Sequence, residues 1–178
     1  MEWEKVKDGF VLHQRSYIQE LLGRHGVEKG CSYVRNPEEE SWDPPTPKRV
    51  KEAQGLTGEL LWLSGKTRPD ICVAVQKMAH SCLKNPCYAV KLGFAILAYL
   101  HETKDVGLVY KELREVDPEP ELHRKRPRHA GTVEVLVDAS FAVEDSHSMT
   151  GIIILQGGAP VHWETRKQSL IALSTAES

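Results

Sequence analysis

The residue with the most distinctive chemical setting is an aspartate that follows an apolar run. Asp138 comes directly after Val135-Leu136-Val137, so it is predicted to lie near the end of a buried strand. Hard cations such as Mg²⁺ take oxygen ligands, and nucleases with two divalent ions hold them between carboxylates placed in this way. More often, an aspartate at a strand end only caps a turn, so Asp138 becomes specific only through the residues around it.

A second acidic candidate lies near the end of the sequence. Ser174 precedes Glu177 by three residues, and Ser-x-x-Glu is the pattern of a capping box, in which the two side chains bond free backbone amides at a helix start. We therefore expect Glu177 to cap a helix rather than to bind a metal ion.

Basic residues are concentrated locally, although the chain as a whole is slightly acidic. The 23 Lys and Arg residues against 25 Asp and Glu give a formal charge of −2, so no global positive field favours nucleic acid. The run 123–129 could follow a phosphate backbone, act as an import signal or form a solvated charge run. The candidate contacts to nucleic acid are Arg124, Lys125, Arg126, Arg128, Lys167 and Gln168. Arg68 could likewise contact nucleic acid or pair within the fold.

The cysteines and histidines do not form a recognisable site. The four cysteines contain no C-x-x-C pair, and the eight histidines form no H-x-x-x-H pair beside them, so zinc is not predicted. The longest apolar stretch, near 93–100, is shorter than the roughly 20 residues that cross a bilayer. We expect reduced thiols in an intracellular compartment and no membrane contact.

The elements that position these residues follow from periodicity and capping signals. The predicted helices are 14–23, 52–64, 69–83 and 86–102, the last with Asn85 as its cap and Pro86 at its first position. Prolines exclude a helix between Cys31 and Lys51 in this interpretation, and Trp62 and Trp163 are predicted to lie in the core.

From Thr132 onward the pattern changes to β-structure. Strands are predicted at 10–13 and 107–110 earlier in the chain, and at 133–141, 150–155 and 159–163 here. Gly157-Gly158 predicts a hairpin turn between the last two. A three-stranded antiparallel meander followed by a capped helix is the predicted arrangement.

Short motifs in this order resemble the ribonuclease H segment of copia-type retrotransposon Pol polyproteins. The motifs are Val137 to Ala142, Ser148 to Gly151, Gly157 to Trp163, Lys167 to Ser169 and Ala172 to Glu177. Upstream, the stretches Thr67 to Ile71, Asn85-Pro86, Tyr99-Leu100 and Thr103 to Tyr110 resemble the segment that joins polymerase to ribonuclease H in the same family. The stretch Gly9 to Tyr17 resembles the end of its reverse transcriptase.

The resemblance implies an α+β chain in five segments. They are the end of the reverse transcriptase (1–30), a Pro- and charge-rich linker (31–51), a helical connection (52–111), a basic, Pro-rich linker (112–131) and a truncated ribonuclease H-like domain (132–178). In the parent polyprotein, Asp138 would be catalytic and would bind two Mg²⁺ ions. The implied partners are an RNA–DNA hybrid or template–primer and the rest of the polyprotein, in a cytoplasmic particle or the nucleus. No small-molecule substrate is apparent.

Two departures from the family pattern limit what this chain is expected to do. The paired aspartates of the family's Tyr-x-Asp-Asp polymerase turn have no counterpart, because no Asp-Asp dipeptide occurs. The family's ribonuclease H glutamate would follow Ser178, and its later aspartate lies further on. We therefore expect the parent to copy RNA and hydrolyse hybrids, but this chain alone to be inactive. The alternatives are a non-catalytic nucleic-acid-binding or structural module, and a decayed element without function.

Overall fold

The protein has an α+β fold. The computed structural model describes residues 1–37, 44–111, 132–140 and 148–168, and in these it contains four α-helices and two three-stranded antiparallel sheets. The chain divides into two compact units, one of residues 1–3 and 12–108 and the other of residues 4–11 and 109–178.

The four helices belong to the first unit. They are α1 (Arg15–His25), α2 (Pro47–Ser64), α3 (Cys72–Ser81) and α4 (Pro86–Glu102), with a short 3-10 helix at Pro69–Ile71 before α3. Helix α2 begins where the Thr46 hydroxyl accepts a bond from the Arg49 amide, and α4 begins where the Asn85 side chain accepts from the Tyr88 amide at 3.1 Å. No helix in the described part of the chain is long and apolar enough to span a membrane.

One apolar core holds these helices together. Sixteen described residues form a buried cluster drawn from all four helices and the 3-10 helix. Helices α2 and α4 pack closely at Gly93, where an added Cβ would lie 2.4 Å from Leu56 Cδ2 and 2.8 Å from Met78 Cε. At this contact a single added methyl group would force the ends of the Leu56 and Met78 side chains to move.

The first sheet consists of β1 (Glu2–Val6), β2 (Gly9–His13) and β3 (Leu108–Lys111) in that order. Gly9 has a φ of +148° and lies so close to β3 that a Cβ would be 2.0 Å from the Tyr110 carbonyl oxygen. The Phe10 and Tyr110 rings stack with centroids 4.9 Å apart. Within the second unit, the Tyr110 hydroxyl donates to the Pro160 carbonyl at 3.0 Å.

The second sheet consists of β4 (Val133–Ser140), β5 (Met149–Gln156) and β6 (Ala159–Lys167), in that order and antiparallel throughout. Gly157 and Gly158 adopt φ values of +56° and +84° and form the β5–β6 turn, as their sequence predicts. The predicted three-stranded meander is confirmed, and among the described residues β4 and β6 are its two edge strands.

Several local predictions need correction. Helix α2 begins at Pro47 rather than near residue 52, because proline at a first helical position sacrifices no intrahelical bond. Strand β1 was not predicted. The whole 112–131 linker and the helix predicted from Ser174 lie outside the described residues.

Candidate functional site

Asp138 lies on β4, one of the two edge strands of the second sheet, and is exposed. One of its carboxylate oxygens accepts a 2.9 Å bond from the amide of the next residue, Ala139. This bond is local and joins two adjacent residues within β4. The prediction that Asp138 lies near the end of a buried strand is wrong, since Val133, Val135 and Val137 are 61%, 56% and 63% exposed.

The register of the sheet determines which side chains share a face with Asp138. Asp138 pairs with Gly151, and Gly151 pairs with Thr165, so these three form one row across the sheet. The next row on the same face ends in Lys167, paired with Met149. Lys167 therefore lies on the same face of the sheet as Asp138, two strands away and in the next row on that face.

Gln168 is directed elsewhere. Its side-chain amide donates to the Thr150 hydroxyl at 2.8 Å, and Thr150 pairs with Ala139, which lies on the opposite face from Asp138. The structure thus brings Lys167 to the face of Asp138 and separates Gln168 from it. The other predicted contacts, Arg124, Lys125, Arg126 and Arg128, lie outside the described residues, as does Glu177.

The described residues around Asp138 do not fit a two-magnesium centre. Such a centre needs several carboxylates that hold two ions roughly 4 Å apart. Among the described residues no group of three His, Cys, Asp or Glu side chains could hold a metal ion. Glu134 shares the face of Asp138 but lies four residues along the strand, about 13 Å away. The carboxylate set that magnesium requires is not assembled by this part of the chain.

A second candidate surface lies on the outward side of α2. Four exposed residues follow one another at intervals of four, three and four positions, which places them on one helix face: Lys51, Gly55, Gly58 and Trp62. Just beyond the helix, the Lys66 ammonium lies 5.3 Å from the Trp62 ring centroid. These five residues are called the outer α2 face below.

The two glycines make this face unusual. A Cβ added at Gly55 or Gly58 would have no neighbour within 4 Å, so packing inside the unit does not require glycine at either position. Glycine inside a helix costs about 1 kcal/mol relative to alanine, and the two here expose bare helix backbone. Such a surface allows another molecule to approach the helix closely.

The ends of the face carry an aromatic ring and two positive charges. Trp62 is 49% exposed, and Lys66 lies over its ring, so an aromatic surface and a positive charge occur together. Lys51 adds a second cation at the other end. Of the acidic residues beside the face, Glu59 is bound by His25 at 2.7 Å and by Arg24, whereas Glu52 is exposed.

Sequence reasoning placed Trp62 in the core, and that prediction is wrong. The signal that could have identified the outer face is the pair of glycines three residues apart inside a helix of otherwise strong helix formers. Trp62 lies on the same face of α2 as these two glycines, whereas Leu56 and Leu60 lie on the buried face.

Arg68 lies inside the helical unit, where its side chain is 0% exposed. Its guanidinium donates to Asp70 from Nε at 3.0 Å and from Nη2 at 2.7 Å. It also donates to the Thr103 carbonyl at 2.9 Å and to the Thr103 hydroxyl at 2.6 Å. The Tyr99 ring lies 5.5 Å from the guanidinium carbon. Of the two roles that the sequence left open for Arg68, the structure supports pairing within the fold.

This network changes the acidity of its members. Burial raises the pKa of Asp70, but the hydrogen bonds and charge of Arg68, with a 2.9 Å bond from the Tyr99 hydroxyl, outweigh it, so the pKa lies below its ordinary value of 3.8. Burial raises the pKa of Tyr99 above its ordinary value, and the neighbouring Asp70 carboxylate adds to the effect. Asp70 is thus held ionised beside a buried cation.

Comparison with known proteins finds relatives at low identity. The chain is 26% identical over 187 aligned positions to the retrovirus-related Pol polyprotein from transposon RE1 of Arabidopsis thaliana, covering 100% of this chain and 12% of that protein. It is 26% identical to a transposon Ty5-1 protein of Saccharomyces cerevisiae, covering 69% of this chain and 36% of that protein. It is 29% identical to secreted RxLR effector protein 161 of Plasmopara viticola, covering 67% and 75% respectively.

No protein-family model matches the chain, and no solved structure matches it. The chain is distantly related to copia-type retrotransposon Pol polyproteins, with weak similarity along its whole length. It spans 12% of the RE1 polyprotein.

Proposed function

We propose that this chain is the segment of a copia-type Pol polyprotein that contacts the template–primer, without catalytic activity of its own. In the whole polyprotein, the segment would join the end of the reverse transcriptase to the first strands of a ribonuclease H domain. The parent would copy RNA into DNA and hydrolyse the RNA of the hybrid. Weak full-length similarity to the RE1 polyprotein supports the parentage, and the three-stranded meander that carries Asp138 is compatible with it.

The observation that carries the binding role is the outer α2 face. Bare helix backbone at Gly55 and Gly58 leaves room for a sugar–phosphate backbone, which a longer side chain would obstruct. Lys51 and Lys66 supply charge to phosphates, and the exposed Trp62 ring supplies a stacking surface for a base or sugar.

Fluorescence anisotropy with a labelled RNA–DNA hybrid that has a single-stranded RNA extension tests this role. We expect binding that weakens with salt, because phosphate contacts release counterions. Trp62→Ala should weaken binding by about 1–3 kcal/mol, the usual value of an aromatic contact to a base. Lys51→Gln should weaken binding and lower the salt slope by about 1.

A matched pair of glycine variants provides the control. Gly58→Gln adds a side chain to the outer α2 face, and Gly23→Gln adds the same side chain at an exposed glycine of α1 that also has no neighbour within 4 Å. Both variants should fold at least as well as the parent chain, because glutamine is the better helix former. Only Gly58→Gln should weaken binding; equal effects of the two variants would contradict the proposal.

The absence of catalysis is tested separately. Incubation of the chain with the labelled hybrid and Mg²⁺ should leave the RNA intact, because the described residues assemble no metal-binding carboxylate set around Asp138. Specific cleavage that Asp138→Ala abolishes would overturn this expectation.

A second candidate function is a binding module that acts without an attached polymerase or nuclease. It is favoured by the similarity to effector protein 161, of which the chain covers 75%. Sequencing the transcript in frame beyond Met1 and Ser178 separates the candidates. An upstream Tyr-x-Asp-Asp and a downstream acidic continuation would support the Pol segment, whereas stop codons at both sides would support the module.

A further inference from the structure

The buried Arg68 network adjoins the outer α2 face along the chain. Lys66 belongs to that face, and the next two residues, Thr67 and Arg68, are 1% and 0% exposed. An exposed cation is therefore followed immediately by two buried polar residues. An exposed lysine does not require buried polar residues beside it, so the burial of Arg68 needs a separate explanation.

Stability is a weak explanation for this burial. Removing two opposite charges from water costs about as much as their attraction returns, so a buried ion pair often adds little to folding compared with apolar residues of similar size. The guanidinium of Arg68 nevertheless has partners on Asp70, Thr103 and Tyr99. A fully bonded buried group of this kind restricts the local backbone to one arrangement.

The restricted segment is the turn that carries Lys66. The Leu63 carbonyl accepts bonds from the amides of Lys66, Thr67 and Arg68 at 3.2, 3.1 and 3.0 Å. The Thr67 hydroxyl donates to the buried side chain of Gln14 at 2.9 Å. The turn is thus attached at one end to α2. Through Thr67 it is attached to Gln14, the residue before α1, and through Arg68 to Thr103, the residue after α4.

We infer that Arg68 is a positioning residue that holds the turn after α2 so that Lys66 lies over the Trp62 ring. Its fork-shaped guanidinium bonds Asp70 through Nε and Nη2 and Thr103 through Nη1 and Nη2, a planar set that the single ammonium of a lysine would not reproduce. The role in nucleic-acid binding rests on the proposed function of the outer α2 face, whereas the position of Lys66 over Trp62 does not.

Nuclear magnetic resonance tests the positioning without nucleic acid. The ring of Trp62 should shift the Hε resonances of Lys66 upfield, and Trp62→Ala should remove this shift. In Arg68→Lys we expect the Lys66 resonances to move to the positions seen in Trp62→Ala. Unchanged Lys66 resonances in folded Arg68→Lys would overturn the inference.

Two further variants keep the test decisive. Tyr99→Phe removes only the hydroxyl that donates to Asp70, and we expect a smaller movement of the Lys66 resonances in the same direction. If Arg68→Lys does not fold, an unchanged shift in Tyr99→Phe overturns the inference. Leu22→Ala, a core change in α1, serves as the control: it should lower stability and leave the Lys66 resonances in place.

Binding to the hybrid provides the second readout. Lys66→Gln should weaken binding and lower the salt slope by about 1 in the parent chain. In the Arg68→Lys background the same change should have no further effect, and an undiminished effect there would contradict the inference. If the parent chain binds no hybrid, the proposed function fails, and the Lys66 resonances still decide whether Arg68 positions this side chain.

Discussion

The helical unit and the second sheet differ in how completely each buries its apolar side chains. Sixteen described residues form the closed core of the helical unit. In contrast, Leu155 is the only buried apolar side chain among the described residues of β4, β5 and β6, and Val133, Val135 and Val137 are more than half exposed. The comparison teaches that apolar pattern and burial are separate properties. The valine face of β4 is apolar and is nevertheless exposed.

The largest expected effect concerns the buried core of the helical unit. Leu60→Ala should lower the free energy of unfolding of the helical unit by about 2–5 kcal/mol, because Leu60 is 0% exposed and its removal leaves a cavity. Urea titration followed by circular dichroism at 222 nm measures the change. A loss comparable to that of an exposed leucine would contradict the closed core.

Two glycine variants compare the inner and outer sides of the helical unit. Gly93→Ala should destabilise by about 1–3 kcal/mol, because the new methyl group would overlap Leu56 and Met78. Gly58→Ala should stabilise by up to about 1 kcal/mol, because alanine is the better helix former and the site is open. Opposite signs in the same urea titration are the expected result, and equal signs would contradict the assignment of the faces.

The acid dependence of the helical unit should depend on Asp70. Because the pKa of Asp70 is lowered from 3.8 in the folded chain, ionised Asp70 contributes stability that is present above pH 3.8 and is lost as the pH falls through the folded pKa. Asp70→Asn should therefore lower stability near neutral pH and flatten its decline in acid. Unfolding titrations between neutral pH and pH 3 measure both effects, and a parallel acid decline in the variant would argue against the coupling.

The smallest effect is expected in the sheet. Val135→Thr should change the stability of the chain by no more than about 0.5 kcal/mol, because Val135 is 56% exposed and threonine keeps the branched shape that strands prefer. Thermal unfolding of Val135→Thr, compared with that of Leu60→Ala, measures the difference in stability effect between the two regions. A loss as large as that of Leu60→Ala would show that β4 is covered in solution.

Much of the secondary structure could be predicted because its signals are local. Asn85 and Pro86 mark the start of α4, and Gly157-Gly158 mark the β5–β6 turn, since capping and turn formation involve only neighbouring residues. The early start of α2 does not follow from the sequence pattern, because prolines commonly break helices, although Pro47 occupies the first helical position, which accepts proline readily.

The candidate sites could be predicted less well. Asp138 was found from its place after an apolar run, but its lack of neighbouring carboxylates in the described chain depends on which strands the sheet contains. The outer α2 face was missed because exposure is not a local property. Whether Trp62 points to the core or to solvent depends on where the other helices pack.

The sequence by itself determined where helices and strands begin and turn, because caps, prolines and glycines act within a few residues. Only the tertiary structure decided that Arg68 is buried and Trp62 exposed, the reverse of the usual preference of these residue types. The physical reason is that burial of a charge requires partners, and Thr103, the residue after α4 that bonds Arg68, lies 35 positions away in the sequence. A contact over that separation forms only when the helices have packed.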